Sequence, residues 1–120
     1  MCNYKFKELI SNNRFYISKM EQLGITDKYI GFYYVVEILG LILNKDYEEI
    51  GSFYKDVYPI VAKRFSKSEC TIERNIRNLI KQVWNKEMES KLNRFWKSER
   101  PPSCCKFIYI LKQYIKSMVV

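Results

Sequence analysis

Five apolar residues recur at intervals of three and four within a short stretch of this 120-residue chain, and this spacing constrains the fold more than any other feature. They are Ile72, Ile76, Leu79, Ile80 and Val83. Because an α-helix turns by about 100° per residue, the spacing places all five on one side of a helix that begins near Glu69. The pattern therefore predicts a helix over residues 69–84 with one buried side.

The polar residues of the same stretch fall on a different side of the predicted helix. Glu73, Arg74, Arg77 and Lys81 separate from the apolar residues when the sequence is projected at about 100° per residue. The guanidinium group of arginine can donate two hydrogen bonds to the O6 and N7 atoms of guanine. We therefore expect this side to face outward and to contact DNA, the alternative being a charged helix side that is merely solvated.

A further helix is predicted just before this one. Residues 58–65 contain apolar side chains for packing, and the polar residues 66–68 follow as a turn. Ser66 and Ser68 are two possible N-caps for the second helix. Ser66 and Glu69 also have the spacing of a capping box, in which each side chain binds a backbone N–H group at the helix start. Two helices joined by a short polar turn predict a helix-turn-helix, although Ser66 replaces the usual glycine of that turn. Helical hairpins without a role in nucleic-acid binding share this pattern.

The rest of the chain favours an all-α fold. Glycine and proline together number only seven, and no alternation of polar and apolar residues persists for long. The length and the 48% hydrophobic content suit one core, so we expect a bundle of five to seven helices. Further helices are expected over residues 29–43 and 104–118, around Met88, and in a short segment over residues 47–51.

The positive charge is concentrated in one half of the chain. Residues 1–53 contain six basic and seven acidic residues, whereas residues 54–120 contain fifteen basic and six acidic residues. The excess therefore lies in the half with the predicted helix-turn-helix, which indicates a surface that neutralises nucleic-acid phosphates. A basic surface that only aids solubility is the alternative. The basic residues are spread over several segments, which disfavours a helix that lies on a membrane.

The residues that enzymes and metal sites need are missing or wrongly spaced. The chain has no histidine, and Cys2, Cys70, Cys104 and Cys105 show no C-x-x-C spacing, so no zinc site is expected. Neither a glycine-rich phosphate loop nor a nucleophile with its base is recognisable. The sequence also contains no signal peptide and no transmembrane run. We expect a cytoplasmic protein without a cofactor, a metal ion or an enzymatic activity.

Two strings in the basic half resemble a known family. VYPIVAKRF, followed by TIERNIRNLIKQVW, is similar to the C-terminal DNA-binding domain of stage 0 sporulation protein A, the master response regulator of sporulation. That family has YP-x-x-AK-[KR]-F and then a [VI]-E-R-x-I-R string that ends in tryptophan. Upstream, LGI and IGFYY resemble the family's IGVPAHIKGYQYL segment. We therefore assign residues 23–120 to a helix-turn-helix DNA-binding domain and residues 1–22 to an N-terminal helical extension.

The resemblance implies a transcription regulator that binds a specific sequence of double-stranded DNA. Carried over residue by residue, the base-reading positions of the family fall on Glu73, Arg74 and Arg77, which implies a short element with G·C pairs, similar to TGTCGAA. Residues near the turn or on the exposed side of the helix are candidates for phosphate contacts. These are Lys67, Ser68, Thr71 and Lys81.

The resemblance also implies partners and a mode of control. In the family, the final helices help neighbouring protomers to touch on tandem DNA sites, so a second copy of the chain is a candidate partner. The helix after the recognition helix contacts the sigma subunit of RNA polymerase in the family, and here residues 84–101 form a shorter segment. Residues 1–22 are too few for the receiver domain of the full regulator, so we expect no control by phosphorylation.

A different class of function is the alternative to DNA binding. An interaction protein that pairs with a full-length regulator and antagonises it needs neither a receiver domain nor the family's segment after the recognition helix. Such a protein has no need of base-reading residues either, and Glu73, Arg74 and Arg77 are all present. Their presence favours the DNA-binding hypothesis.

Overall fold

The computed structural model describes residues 14–45, 50–97 and 100–118, and over these residues the chain forms six α-helices and no β-strand. The all-α fold expected from the sequence is confirmed. The helices are α1 (Arg14–Gln22), α2 (Ile30–Lys45), α3 (Ile50–Phe65), α4 (Glu69–Val83), α5 (Lys86–Lys91) and α6 (Cys104–Met118). Cys2, most of the expected N-terminal extension and the start of the expected segment 47–51 lie outside the described residues.

α4 is buried on the side that its apolar spacing predicts. All five residues of that spacing are buried, and three of them are fully inaccessible to solvent. The helix ends at Trp84, whose backbone N–H donates a hydrogen bond to the carbonyl of Ile80. The Trp84 ring then packs edge-on against Phe107 of α6, with 6.4 Å between the ring centroids. α4 is thus anchored along one side and at its C-terminal end.

α2 is the central helix of the described fold, because it packs against α1, α3, α4 and α6. Nearly every residue from Gly31 to Ile42 is buried, so this helix has no broad solvent-facing side. Gly31 lies directly against the backbone of α4. A Cβ atom added at Gly31 would lie 2.4 Å from the carbonyl oxygen of Asn75, so only glycine permits this approach of the two helices.

α3 is longer than the sequence predicted. It runs without a break through the expected end near residue 51 and the expected helix start at residue 58, so both of these boundaries are wrong. Pro59 lies inside α3, where a proline removes a backbone hydrogen bond and costs about 3 kcal/mol. Val57 and Val61 on either side are fully buried, and burial of such a side chain stabilises by roughly 1.5–3 kcal/mol. The stabilisation from burying these two valines therefore outweighs the cost of Pro59 within the helix.

α6 completes the core. Five members of its apolar stripe are buried, whereas Met118, the last of the stripe, is 41% exposed. The buried members are Phe107, Ile108, Leu111, Tyr114 and Ile115. None of the helices in the described ranges is both long enough and apolar enough to cross a bilayer.

Candidate nucleic-acid interface

A three-residue turn, Ser66 to Ser68, joins α3 to α4. The Lys67 N–H donates to the carbonyl of Ala62 at 2.9 Å, and the Ser66 N–H donates to the carbonyl of Lys63 at 3.2 Å. These two bonds are those of a Schellman motif, which ends a helix with one residue in the left-handed region. Ser66 is that residue, with φ of 56°. It occupies the conformation for which glycine is preferred, in agreement with its place in the helix-turn-helix pattern.

The N-cap of α4 is Ser68, and the predicted capping box of Ser66 and Glu69 is wrong. The Ser68 backbone is extended, and its hydroxyl oxygen accepts a hydrogen bond from the Thr71 N–H at 3.1 Å. The same hydroxyl donates to Thr71 Oγ1 at 2.9 Å. Ser66 cannot serve as this cap because its left-handed backbone ends α3, two residues before the cap position. Ser66 therefore ends α3, and Ser68 caps the start of α4.

The exposed side of α4 carries the predicted base-reading residues. Arg74 is exposed and has no ion-pair partner among the residues that the structure describes. The Arg77 side chain is 66% exposed, and its Nη2 atom lies 3.6 Å from Oε1 of Glu73, one turn earlier. Glu73 is partly buried. The structure thus brings Glu73 and Arg77 together as an ion pair and leaves Arg74 facing solvent.

The four candidate phosphate contacts surround this exposed side. Lys67 is exposed in the turn, and Lys81 is exposed in the last turn of α4. Ser68 has donated its hydroxyl hydrogen to Thr71, so it can only accept further hydrogen bonds. Thr71 accepts that bond and retains its own hydroxyl hydrogen for an external acceptor. The two lysines and Thr71 are therefore the members of this set that can donate to a phosphate.

A groove of about 520 Å³ lies beside the exposed side of α4, between its C-terminal half and residues 101–104. Cys104 lines this groove, and its Sγ atom lies 3.6 Å from the carbonyl oxygen of Glu73. Burial, followed by the nearby Glu73 carboxylate, raises the pKa of the Cys104 thiol to about 11, and the same two causes raise the pKa of Cys105. Both thiols are therefore neutral near pH 7 and unreactive as nucleophiles. The described residues contain no cluster of acidic or cysteine side chains that could hold a metal ion.

An ion pair that the sequence analysis did not predict connects the end of α3 to α2. Nη1 of Arg64, two residues before the turn, lies 2.7 Å from Oε1 of Glu37. The Glu37 side chain is only 5% exposed, and its other carboxylate oxygen is buried and has no hydrogen-bond partner among the described residues. The signal in the sequence is that Glu37 is the single charged residue in the apolar run 35–43. A buried carboxylate in such a run requires a cation from elsewhere in the fold.

A comparison with protein-family models identifies the family of this chain. The family model for the sporulation initiation factor Spo0A C terminal matches residues 17–115 of the chain. The match covers α3, the turn and α4 completely, and it extends from within α1 to within α6. It confirms the resemblance seen in the sequence strings. The chain therefore belongs to the family of the Spo0A C-terminal domain, a family of DNA-binding effector domains of transcription regulation in sporulation.

Proposed function

We propose that this chain is a transcription regulator that binds a specific sequence of double-stranded DNA and has no enzymatic activity, with α4 as the recognition helix in the major groove. The observation that carries the proposal is the division of α4 into two sides. One side is anchored in the core by five apolar residues, and the other presents Arg74, Arg77 and Lys81 to solvent. The major groove, about 12 Å wide, admits a helix presented in this way.

Arg74, Arg77 and Glu73 are the proposed base-reading residues. Each arginine can donate two hydrogen bonds to a guanine, and Glu73 can accept one from the amino group of a cytosine. The ion pair between Glu73 and Arg77 does not prevent this. An exposed pair one helical turn apart is worth about 0.3–0.5 kcal/mol, whereas a good two-pronged base contact is worth roughly 1–3 kcal/mol. DNA can therefore draw Arg77 away from Glu73.

Lys67 and Lys81 are the proposed charged contacts to the phosphate backbone, and the Thr71 hydroxyl is the proposed neutral one. The Ser68 hydroxyl can join them only by turning its hydrogen from Thr71 to a phosphate oxygen. Lys67 lies in the turn before α4, and Lys81 lies in the last turn of α4. These positions place one lysine at each end of the base-reading residues. Phosphate contacts at both ends fix the position of a recognition helix without reading sequence.

Two macromolecular partners belong to the proposal as further expectations. A second copy of the chain is expected on tandem DNA sites, although the apolar stripe of α6 is buried except at Met118 and so offers little surface for it. The sigma subunit is expected at α5, which is only six residues long. Both expectations, like action in the cytoplasm, derive from membership of the family. The antagonist of a full-length regulator remains the alternative, and no structural observation favours it.

Selection of bound duplexes from random DNA tests the proposed function. We expect enrichment of one short motif that contains G·C pairs. Affinity for that motif is expected to fall steeply with salt, because each neutralised phosphate contributes about −0.9 to the slope of log K against log salt. Lys67 and Lys81 alone then predict a slope of about −1.8, or roughly a tenfold loss between 50 and 200 mM salt. Lack of an enriched motif together with a flat salt response would favour the protein-partner alternative.

A further inference from the structure

α2 approaches the backbone of α4 at a residue that lies between the proposed base-reading arginines in the sequence. Gly31, near the start of α2, lies against Asn75, which stands between Arg74 and Arg77 in the sequence. A Cβ atom at Gly31 would lie 2.4 Å from the carbonyl oxygen of Asn75, 2.9 Å from its carbonyl carbon and 3.1 Å from Cβ of Leu79. The contacting atoms of Asn75 belong to the helix backbone, so no side-chain rotation can relieve them.

Neither helix is free to yield at this contact. α2 is held by buried residues along nearly its whole length, and Glu37, less than two turns after Gly31, is bonded to Arg64 of α3. α4 is held by its five buried residues and by Ser68 at its start. An ordinary van der Waals contact needs at least about 3.4 Å. A methyl group at Gly31 therefore requires the two helices to separate by about 1 Å.

We propose that Gly31 is a positioning residue for base reading, an inference that rests on the proposed function of α4. By permitting backbone contact, it sets how far the middle of α4, with Arg74 and Arg77, projects from the body of the domain. Hydrogen bonds to bases have donor to acceptor distances of about 2.7–3.2 Å, so a shift of 1 Å disrupts them. Flexible lysine side chains can follow the phosphates over the same distance. The preference for the selected sequence should therefore fall more than the affinity for DNA of any sequence.

Titration of Gly31→Ala tests the inference on two duplexes, one with the motif selected from random DNA and one with the same bases in scrambled order. We expect the ratio of the two affinities to fall at least tenfold while affinity for the scrambled duplex changes less than about twofold. Met20→Ala is the matched control, because it truncates a fully buried side chain in α1, whose packing partners are α2 and α6. The ratio of the two affinities measured for Met20→Ala should equal the ratio measured for the unaltered chain. Circular dichroism confirms that each variant is folded at the titration temperature.

Leu79→Ile applies a milder change to the same contact from the other helix. It keeps the side-chain volume but adds a branch at the Cβ atom that faces Gly31, so the chain should fold even if Gly31→Ala does not. We expect its affinity ratio to fall about threefold. The inference is overturned if the ratio of the two affinities is unchanged in every folded variant of this contact. It is also overturned if Met20→Ala lowers that ratio as much as these variants do. If the unaltered chain itself prefers neither duplex, the proposed function fails instead.

Discussion

The buried and exposed sides of α4 differ in what they contribute to the protein. The side with Ile72, Ile76 and Leu79 is inaccessible to solvent and contributes to the free energy of unfolding. The side with Arg74 and Arg77 contributes little to that free energy, because its charges are solvated or weakly paired. The buried residues that stabilise the fold and the proposed base-reading residues are thus separated by about half a helical turn. Substitutions on the two sides should therefore have effects of different kinds.

The largest effect on stability is expected on the buried side. Ile76→Ala removes three carbon atoms from a fully buried position and should lower the free energy of unfolding by about 2–5 kcal/mol. Ile76→Val should lower it by about 0.5–1.5 kcal/mol. Denaturant unfolding monitored by circular dichroism measures both. A loss below about 1 kcal/mol for Ile76→Ala would contradict the burial of this side.

The two serines of the turn should respond in opposite ways. Ser68→Ala removes the N-cap of α4 and should lower the free energy of unfolding by about 1 kcal/mol. Ser66→Gly should not lower it, because relief of the left-handed backbone, worth about 1–2 kcal/mol, exceeds the roughly 0.5–1 kcal/mol that glycine adds in chain entropy. Denaturant unfolding monitored by circular dichroism measures both changes in the free energy of unfolding. Equal losses at the two positions would contradict the assigned geometry.

Two cysteines extend the comparison to chemical reactivity. Cys70 is exposed in the first turn of α4, whereas Cys104 is buried and has a pKa raised to about 11. At pH 8 we expect iodoacetamide to modify Cys70 in the folded chain and Cys104 only after denaturation, as measured by peptide mass spectrometry. Bound DNA should protect Cys70. Rapid modification of Cys104 in the folded chain would contradict its burial.

The raised pKa of Cys104 also has a consequence for stability. In the unfolded chain the thiol ionises above its ordinary value of 9.0, and in the folded chain only near 11. The folded state therefore holds the proton more strongly, and its contribution is complete below pH 9 and is lost as pH rises from 9 to 11. Cys104→Ser should lessen this fall in alkaline unfolding curves.

The smallest effect on stability is expected for the ion pair on the exposed side. Glu73→Gln should change the free energy of unfolding by less than about 0.5 kcal/mol, because the pair is solvent-exposed at Arg77. The change should diminish further at high salt. A loss above about 1 kcal/mol would show that the exposed side also supports the fold.

Local patterns in the sequence were sufficient to predict the features that depend on one helix. The spacing of three and four residues predicted the buried side of α4, and the remaining positions predicted that Arg74 and Arg77 face solvent. The long continuation of α3 through Pro59 was not predicted, because it depends on burial against other helices. Likewise, the choice of Ser68 over Ser66 as the cap depends on how α3 ends.

Contacts between distant residues could not be predicted from the same patterns. Glu37 stands out in an apolar run, but nothing in the sequence identifies Arg64, 27 residues later, as its partner. Gly31 could be expected to allow close packing, yet its contact with Asn75 emerges only when α2 and α4 are placed together. These contacts help to hold α4, the proposed recognition helix, in place, and periodicity alone does not predict them.

The most direct test of base reading by the exposed side of α4 compares Arg74→Ala with Lys81→Ala on the selected and scrambled duplexes at two salt concentrations. Arg74→Ala should weaken binding to the selected duplex by roughly 1–3 kcal/mol and reduce the preference for it, without loss of stability. Lys81→Ala should weaken binding to both duplexes about equally and reduce the salt slope by about 0.9. If both variants weaken binding to the two duplexes uniformly, the exposed side of α4 does not read bases.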